Sequence, residues 1–525
     1  MQIPFHGAPS AESSVSRMID PRPALPPRAP RIAAALLSGA LLAACFPPFG
    51  LSALAWVCLA PLLWALDGAS PRQAAGRAWL AGLIAMGGVG WFTTSFGGNV
   101  LWMRLLPWAL FSAIEALFFI PVGLALAAIL RGGRPASILL GAPAAWVLGE
   151  WLRGAGAFGF PFGMLANALS GNIAVLQLAS LGGWMAVSYA AALIATAVFL
   201  ALTRRGAFMG TAMPAALALL AAITWGAWRA ETPRRTDALS PGLRVVVAQG
   251  NTNVPWEAPG REEEFRRLSA DTVRCAREGG KTDLIVWSES TLPGSVSEPR
   301  IRRAVAAAAR AAGAPILTGS IVFAPDGAPM NVAVLALPDG RIAGQYQKRR
   351  LVPFGEWVPL RRVLPLLNSF GVVERDEVPG SEWTVLRDGP MALGVPICFE
   401  SASSEASRAF ALAGANLIAV ITNDGWFGRT GMAEQHAAAA PLRAVETGRW
   451  VARCGHTGIS GFVGPDGRWT GRLPLNRPGV LAGRVTLRSG TTPFVRYGDW
   501  FLFLCVGLLI GAVAFRPAPV VESAS

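Results

Sequence analysis

Residues 391–400 read MALGVPICFE: an apolar run that ends on a thiol, Cys398, and a carboxylate, Glu400. So many consecutive apolar residues suit a strand buried on both faces, and reactive groups in layered α/β folds gather at strand ends. Five further runs share this character: LRVVVAQG (243–250), TDLIVWSE (282–289), APILTGSIVF (314–323), NVAVLALP (331–338) and ANLIAVITND (415–424). Amphipathic segments at 261–278, 298–312 and 433–449 separate several of them. The alternation predicts an α/β layered domain over residues 243–490.

Outside that region the chain changes character. Of its 525 residues, 53% are hydrophobic and 15% charged, and long stretches almost free of charge fill 33–228 and 500–515. Such stretches belong in lipid. Candidate spans fall near 33–46, 51–67, 78–97, 105–130, 136–152, 172–202, 207–228 and 500–515, the first read as an uncleaved signal. The organisation expected is a disordered basic cytoplasmic tail (1–31), a transmembrane domain of about seven helices (32–230), the α/β domain (243–490) and a C-terminal transmembrane helix (499–516). Arginines mark alternate connections: Arg17 to Arg31, Arg72 and Arg77, Arg131 and Arg134, Arg204 and Arg205. Positive loops stay in the cytoplasm, so seven spans place the α/β domain outside it. Glu115, Glu150 and Asn167 are the polar exceptions near the spans, read as interfacial or functional. The stretch GAGAFGFPFGM (154–164) cannot continue a helix and is placed at the outer surface.

The net charge of +14 is spread over span ends and the α/β region, not gathered into a stripe, which argues against nucleic-acid binding. Six cysteines without a CxxC pair argue against a disulfide framework. Three histidines lie away from other ligands, so neither a metal nor a cofactor is expected.

Three strand ends carry the chemistry. TDLIVWSE delivers Glu289, GQYQK delivers Lys348 ahead of LVPFGE with Glu356, and PICFE delivers Cys398. A thiol needs a base, for which Glu289 serves, and attack on an ester makes an oxyanion that a fixed cation such as Lys348 stabilises. A helix beginning near Ser401 is expected to lower the Cys398 pKa through its dipole. Singly, each group has a plainer reading: a buried apolar Cys, a helix-capping Glu, a surface Lys, a surface ion pair at Glu356. Together they make one mechanism. Residues 357–360 and 364–373 are read as a lipid-touching flap or as core packing.

WSE289, K348 with LVPFGE356, and IC398FE400 resemble the motifs of the nitrilase (carbon-nitrogen hydrolase) superfamily. With the spans they resemble the apolipoprotein N-acyltransferase family in particular, over about 33–515. Further matching segments are AQGN (248–251) with Trp256, TNDGWFG (422–428), and RAVE (443–446) leading to GHTGIS (455–460). The resemblance implies an α-β-β-α sandwich beside a multi-span α-helical membrane domain. It implies a bacterial inner-membrane enzyme facing the periplasm that moves an acyl chain from phospholipid through a thioester to the N-terminal amine of a diacylglyceryl apolipoprotein. Glu289 then corresponds to the base, Lys348 to the oxyanion lysine, Cys398 to the nucleophile, Glu356 and Glu400 to supporting carboxylates, and Trp256 to an aromatic near the site. Phe399 departs from the family's usual Tyr. A monomer is expected. The competing reading is a membrane-tethered amidase with the same triad.

Overall fold

The computed structural model describes residues 28–95, 100–204, 209–251, 260–361, 363 and 375–514. Its first half is helical: α1 (Arg28–Ala44), α2 (Ala60–Leu66), α3 (Pro71–Val89), α4 (Leu101–Leu117), α5 (Phe119–Leu130), α6 (Pro135–Gly154), α7 (Leu165–Ala168), α8 (Ile173–Leu176), α9 (Ala179–Thr203) and α10 (Ala212–Ala238). Start signals in the sequence act as expected. Ser70 caps α3 by accepting from Gln73 N while the Gln73 side chain accepts from Ser70 N, and Pro71 occupies the first turn, where no N–H is needed.

Two boundaries differ from the sequence reading. Residues 1–27 lie outside the described residues, but Arg28 to Arg31 are not tail: they open α1, where Arg31 is buried and donates to Trp64 O and to Asp67 O. The expected span at 51–67 is a 3-10 turn (Ser52–Trp56) followed by α2, with Pro61 in the first turn of α2, where no N–H is needed. Among the described residues, 101–130 and 179–203 are each long and apolar enough to cross a membrane, and 29–44, 52–66 and 500–514 are shorter apolar helices.

From Leu243 onward two six-stranded sheets stack face to face. The first runs β12-β1-β2-β3-β4-β5, with β1 (Leu243–Gln249), β2 (Leu284–Trp287), β3 (Ile316–Phe323), β4 (Pro329–Ala336), β5 (Ile342–Gln347) and β12 (Gly479–Val485). The second runs β11-β10-β9-β8-β7-β6, with β6 (Leu386–Asp388), β7 (Met391–Gly394), β8 (Leu417–Thr422), β9 (Val451–Gly455), β10 (Ser460–Val463) and β11 (Trp469–Leu473). Alternation along β1 and β2 assigns the layers. Val245, Val247, Leu284 and Val286 pack between the sheets against Leu393, Ile418 and Val420. Val246, Ala248, Ile285 and Trp287 face outward, under α11 (Arg261–Glu278) and α12 (Pro299–Ala312). α13 (Ser404–Leu412), α14 (Met432–Ala437) and α15 (Ala439–Thr447) lie in the chain between β7 and β9 of the second sheet, and Leu442 and Val445 of α15 join the core of the helical half. The layer order is α-β-β-α. α16 (Pro493–Tyr497) and α17 (Trp500–Ala514) close the chain.

The halves are joined by buried polar contacts. Trp184 N of α9 donates to Glu446 Oε1 at 2.9 Å, and the same carboxylate is paired with Arg443. Gln177 Nε2 donates to Asp466 O at 2.8 Å. At the C-terminal part of α10, Asp237 accepts from Trp450 Nε1, Thr486 Oγ1 and Arg488 Nη1.

Candidate active site

Lys348, fully buried, stands at the centre. It directly follows β5, and its Nζ lies 2.5 Å from Glu356 Oε1 and 3.4 Å from Glu289 Oε1. Burial alone would lower the ammonium's pKa, but Glu356, Glu289, the Cys398 thiol and Glu377 outweigh it and hold the pKa well above its ordinary value. An ammonium has three donors; among the described residues these carboxylates take two.

Glu289, two residues past β2, is fixed at both oxygens. Oε1 also accepts from Asn331 Nδ2 at 2.8 Å, and Oε2 accepts from Asn423 N at 2.8 Å. Its backbone is pressed against β3: a Cβ on Gly319 would sit 2.2 Å from Glu289 O and 2.6 Å from its Cα. Gly319→Ala must therefore displace the base. The expected result is an acylation rate reduced by about 10–100-fold, with about 1–3 kcal/mol of destabilisation from overpacking. Single-turnover acylation and chemical denaturation check the two parts.

Cys398 follows β7, which ends at Gly394, earlier than the apolar run suggested; an isolated bridge joins Ile397 to Ile421 of β8. The thiol sits at the first residue of a 3-10 turn (Cys398–Ala402) with φ of +52°, the left-handed region that non-glycine residues rarely occupy. The sequence reading of a dipole-lowered thiol is corrected here. Only a five-residue 3-10 turn starts at Cys398, and α13 begins at Ser404. Burial, followed by the Glu289 carboxylate, pushes the thiol up, against Lys348, which lowers it. The resting group is a thiol that needs its base.

Glu400, also fully buried, ties two strand ends together. Its Oε1 accepts from Tyr346 Oη at 2.8 Å and from Arg349 N and Arg350 N at 2.8 and 3.1 Å; Oε2 accepts from Ile397 N at 2.8 Å. Burial raises its carboxyl pKa against those four donors. Glu400 thus locks the Lys348 segment to the Cys398 turn. Glu356 has a matching second task, since its Oε2 accepts from Val352 N at 2.9 Å and shapes the loop after Lys348.

Phe399 fills the place of the usual Tyr with apolar contact. Its ring centre is 5.9 Å from that of Phe162, in the 154–164 loop, and the Arg350 guanidinium lies over it at 5.4 Å. Arg350 Nη2 also donates to Gly154 O at 2.9 Å, so that loop touches the site from the helical half. Glu150 supports the same loop: its Oε1 accepts from Leu165 N and Trp146 Nε1. Glu115 faces Arg153 at 3.7 Å. Of the flap region, Trp357 packs on Phe158 with ring centres 5.7 Å apart, while 364–373 lie outside the described residues. Trp256 lies outside them as well.

Comparison with known proteins agrees in both halves. Residues 38–197 match the model of the apolipoprotein N-acyltransferase N-terminal domain, and 244–492 that of the carbon-nitrogen hydrolase. A protein of Geobacter metallireducens named apolipoprotein N-acyltransferase is 33% identical over 505 residues, 92% of this chain and 95% of that one. The chain belongs to the apolipoprotein N-acyltransferase family. A second relative so named, from Gloeobacter violaceus, is 32% identical over 92% of this chain and 94% of its own. Among solved structures, an amidase from Nesterenkonia sp. aligns with 50% of this chain and 95% of its own at 22% identity and a TM-score of 0.36.

For a family member read from sequence, several neighbours of the triad went unnoticed. Asn331 and Asn423 hold Glu289. Glu377 adds a third carboxyl beside Lys348; burial and then Glu356 push it up to about 8. Asp424, His436 and Arg453 form a buried network behind Cys398. The quoted TNDGWFG segment held Asn423 and Asp424 in view, but nothing in it pointed to Glu289 or His436.

Proposed function

We propose that this chain transfers an acyl group from a phospholipid to the free α-amine of the diacylglyceryl cysteine of apolipoproteins, the last step of lipoprotein maturation, with Cys398 as thioester carrier. The observation that carries this reading is the buried Glu289, Lys348 and Cys398 cluster in a member of the apolipoprotein N-acyltransferase family. Glu289 takes the thiol proton as Sγ attacks the ester carbonyl, and the oxyanion forms facing Lys348. Collapse expels the lysophospholipid oxygen, which takes the proton back from Glu289. The lipoprotein amine then attacks the thioester, Glu289 accepts its proton, and the thiol is restored as the amide forms. The lysophospholipid leaves before the lipoprotein arrives, which makes the scheme ping-pong.

Family membership over nine-tenths of the chain favours transfer to an amine over the tethered amidase, whose first half-reaction is identical. A multi-span helical membrane domain ahead of the α/β domain (243–490) and a C-terminal span at 499–516 complete this reading. Its further parts are a bacterial inner-membrane location, a periplasmic α/β domain and a monomer. The alternating arginine loops and the apolar helices support it. The decisive experiment is intact mass after incubation with a phospholipid of defined acyl chains. A gain of one acyl group that neutral hydroxylamine removes, absent in Cys398→Ala, is expected. No gain with any phospholipid would displace this reading in favour of the amidase.

A further inference from the structure

We propose that His436 is a positioning residue for the nucleophile, holding the Cys398 carbonyl and with it the turn that presents the thiol. The inference rests on the reading of Cys398 as nucleophile and extends it to a histidine outside the triad.

A left-handed non-glycine residue at a strand end stays so only if its surroundings hold it. At Cys398 the restraint is visible on the carbonyl. Cys398 O lies 3.0 Å from His436 Nε2 and 2.8 Å from Ser401 Oγ, which donates to it. A carbonyl has two lone-pair directions, and here both have partners. Ser401 Oγ is also 2.8 Å from His436 Nε2, so the three groups form one closed cluster.

The other ring nitrogen fixes the ring. His436 Nδ1 lies 2.7 Å from Asp424 Oδ1, and Asp424 is gripped in turn by Arg453 Nη2 at 2.8 Å and Thr422 Oγ1 at 3.1 Å. Burial works against the Asp424 carboxylate, but Arg453 and His436 prevail and take its pKa down to about 2, so it is a permanent acceptor. The Asp424 carboxylate only accepts, so Nδ1 donates to it, and Nε2 faces the Cys398 carbonyl and the Ser401 hydroxyl. Phe162 and Phe427 meet the ring edge-to-face at 5.8 and 6.2 Å and shut it from water; it is 1% exposed. Asp424 and His436 come from different elements, the turn after β8 and α14, so the pair also anchors two segments to the Cys398 turn.

The two ring nitrogens can be tested separately. In His436→Gln the amide reaches the place of Nε2 and donates to Cys398 O; in His436→Asn it reaches only the place of Nδ1 and keeps the Asp424 side. Full-length variants in detergent are compared in single-turnover acylation by dipalmitoyl phosphatidylethanolamine, and in iodoacetamide alkylation of Cys398, which needs no lipid chemistry. The Gln variant is expected within about tenfold of wild type in both, and the Asn variant at least tenfold below Gln, with the KM for lipid within twofold throughout. Equal rates for Gln and Asn, or Asn faster, overturn the inference. If Gln exceeds Asn in alkylation while even wild type takes no acyl group, His436 positions the thiol as argued and the functional reading alone fails.

Discussion

Glu289→Gln should slow thioester formation by about three orders of magnitude, within the 10²–10⁴ range of a positioned base. In the proposed scheme the full weight of deprotonation falls on this residue, because burial pushes the Cys398 thiol up and only a five-residue 3-10 turn starts there. The replacement is also well tolerated sterically. A Gln keeps the contact with Asn423 N, and Asn331, whose Oδ1 is buried without a hydrogen-bond partner among the described residues, can turn its amide to accept from the new N–H. The loss should appear in the acylation rate with the lipid KM nearly unchanged, alongside some loss of stability because Lys348 gives up one of its two buried carboxylate partners and keeps Glu356. Single-turnover mass measurement decides: a variant within tenfold of wild type would remove Glu289 as the base.

Lys348→Met should fail differently, in chemistry and in folding together. Loss of one oxyanion donor costs about 10²–10³ in rate. The larger effect is on the carboxylates left behind. Glu289, Glu356 and Glu377 all face the ammonium, and removing one partner of a buried ion pair typically costs about 3–5 kcal/mol. The sign of the pH dependence follows. Without the cation, the Glu356 and Glu377 carboxyls bind protons more tightly in the folded chain than in the unfolded one, as Glu377 already does at about 8. Their cost is absent at low pH and grows as pH rises from the ordinary carboxylate value through the folded one. The variant's stability deficit should be largest at pH 8 and shrink toward pH 5 in denaturant titrations. A deficit independent of pH would mean that the carboxylates had found other partners.

The triad was legible because each member breaks an apolar pattern at a strand end: Glu289 after LIVW, Lys348 after QYQ, Cys398 after VPI. Its supports were not. Asn331 opens a strand as many polar residues do, and a lone His436 in a helical stretch carries no spacing that marks it. Strands β9 to β12 were missed for a related reason. VARCG carries an arginine where a buried strand should be apolar, and GVLAGRV is a half-exposed edge strand that needs no continuous apolar run. Arg453 can sit inside only because Asp424 neutralises it, a pairing across distant residues that no local window reveals. The thiol's environment was misjudged because the sequence shows that a turn follows Cys398 but not that the turn is short and sealed.

The pairing of β1 with β12 has a consequence in time. β1 is the first strand of the α/β half to be synthesised and β12 the last, yet they lie side by side from Leu243 opposite Val485 to Gln249 opposite Gly479. At roughly 5–20 residues per second, a ribosome needs about 10–50 s to pass from one to the other. Throughout that interval one edge of β1 waits for its neighbour. The first sheet is completed only as α17 is about to leave the ribosome, so maturation of the catalytic half and delivery of the final helix are nearly one event.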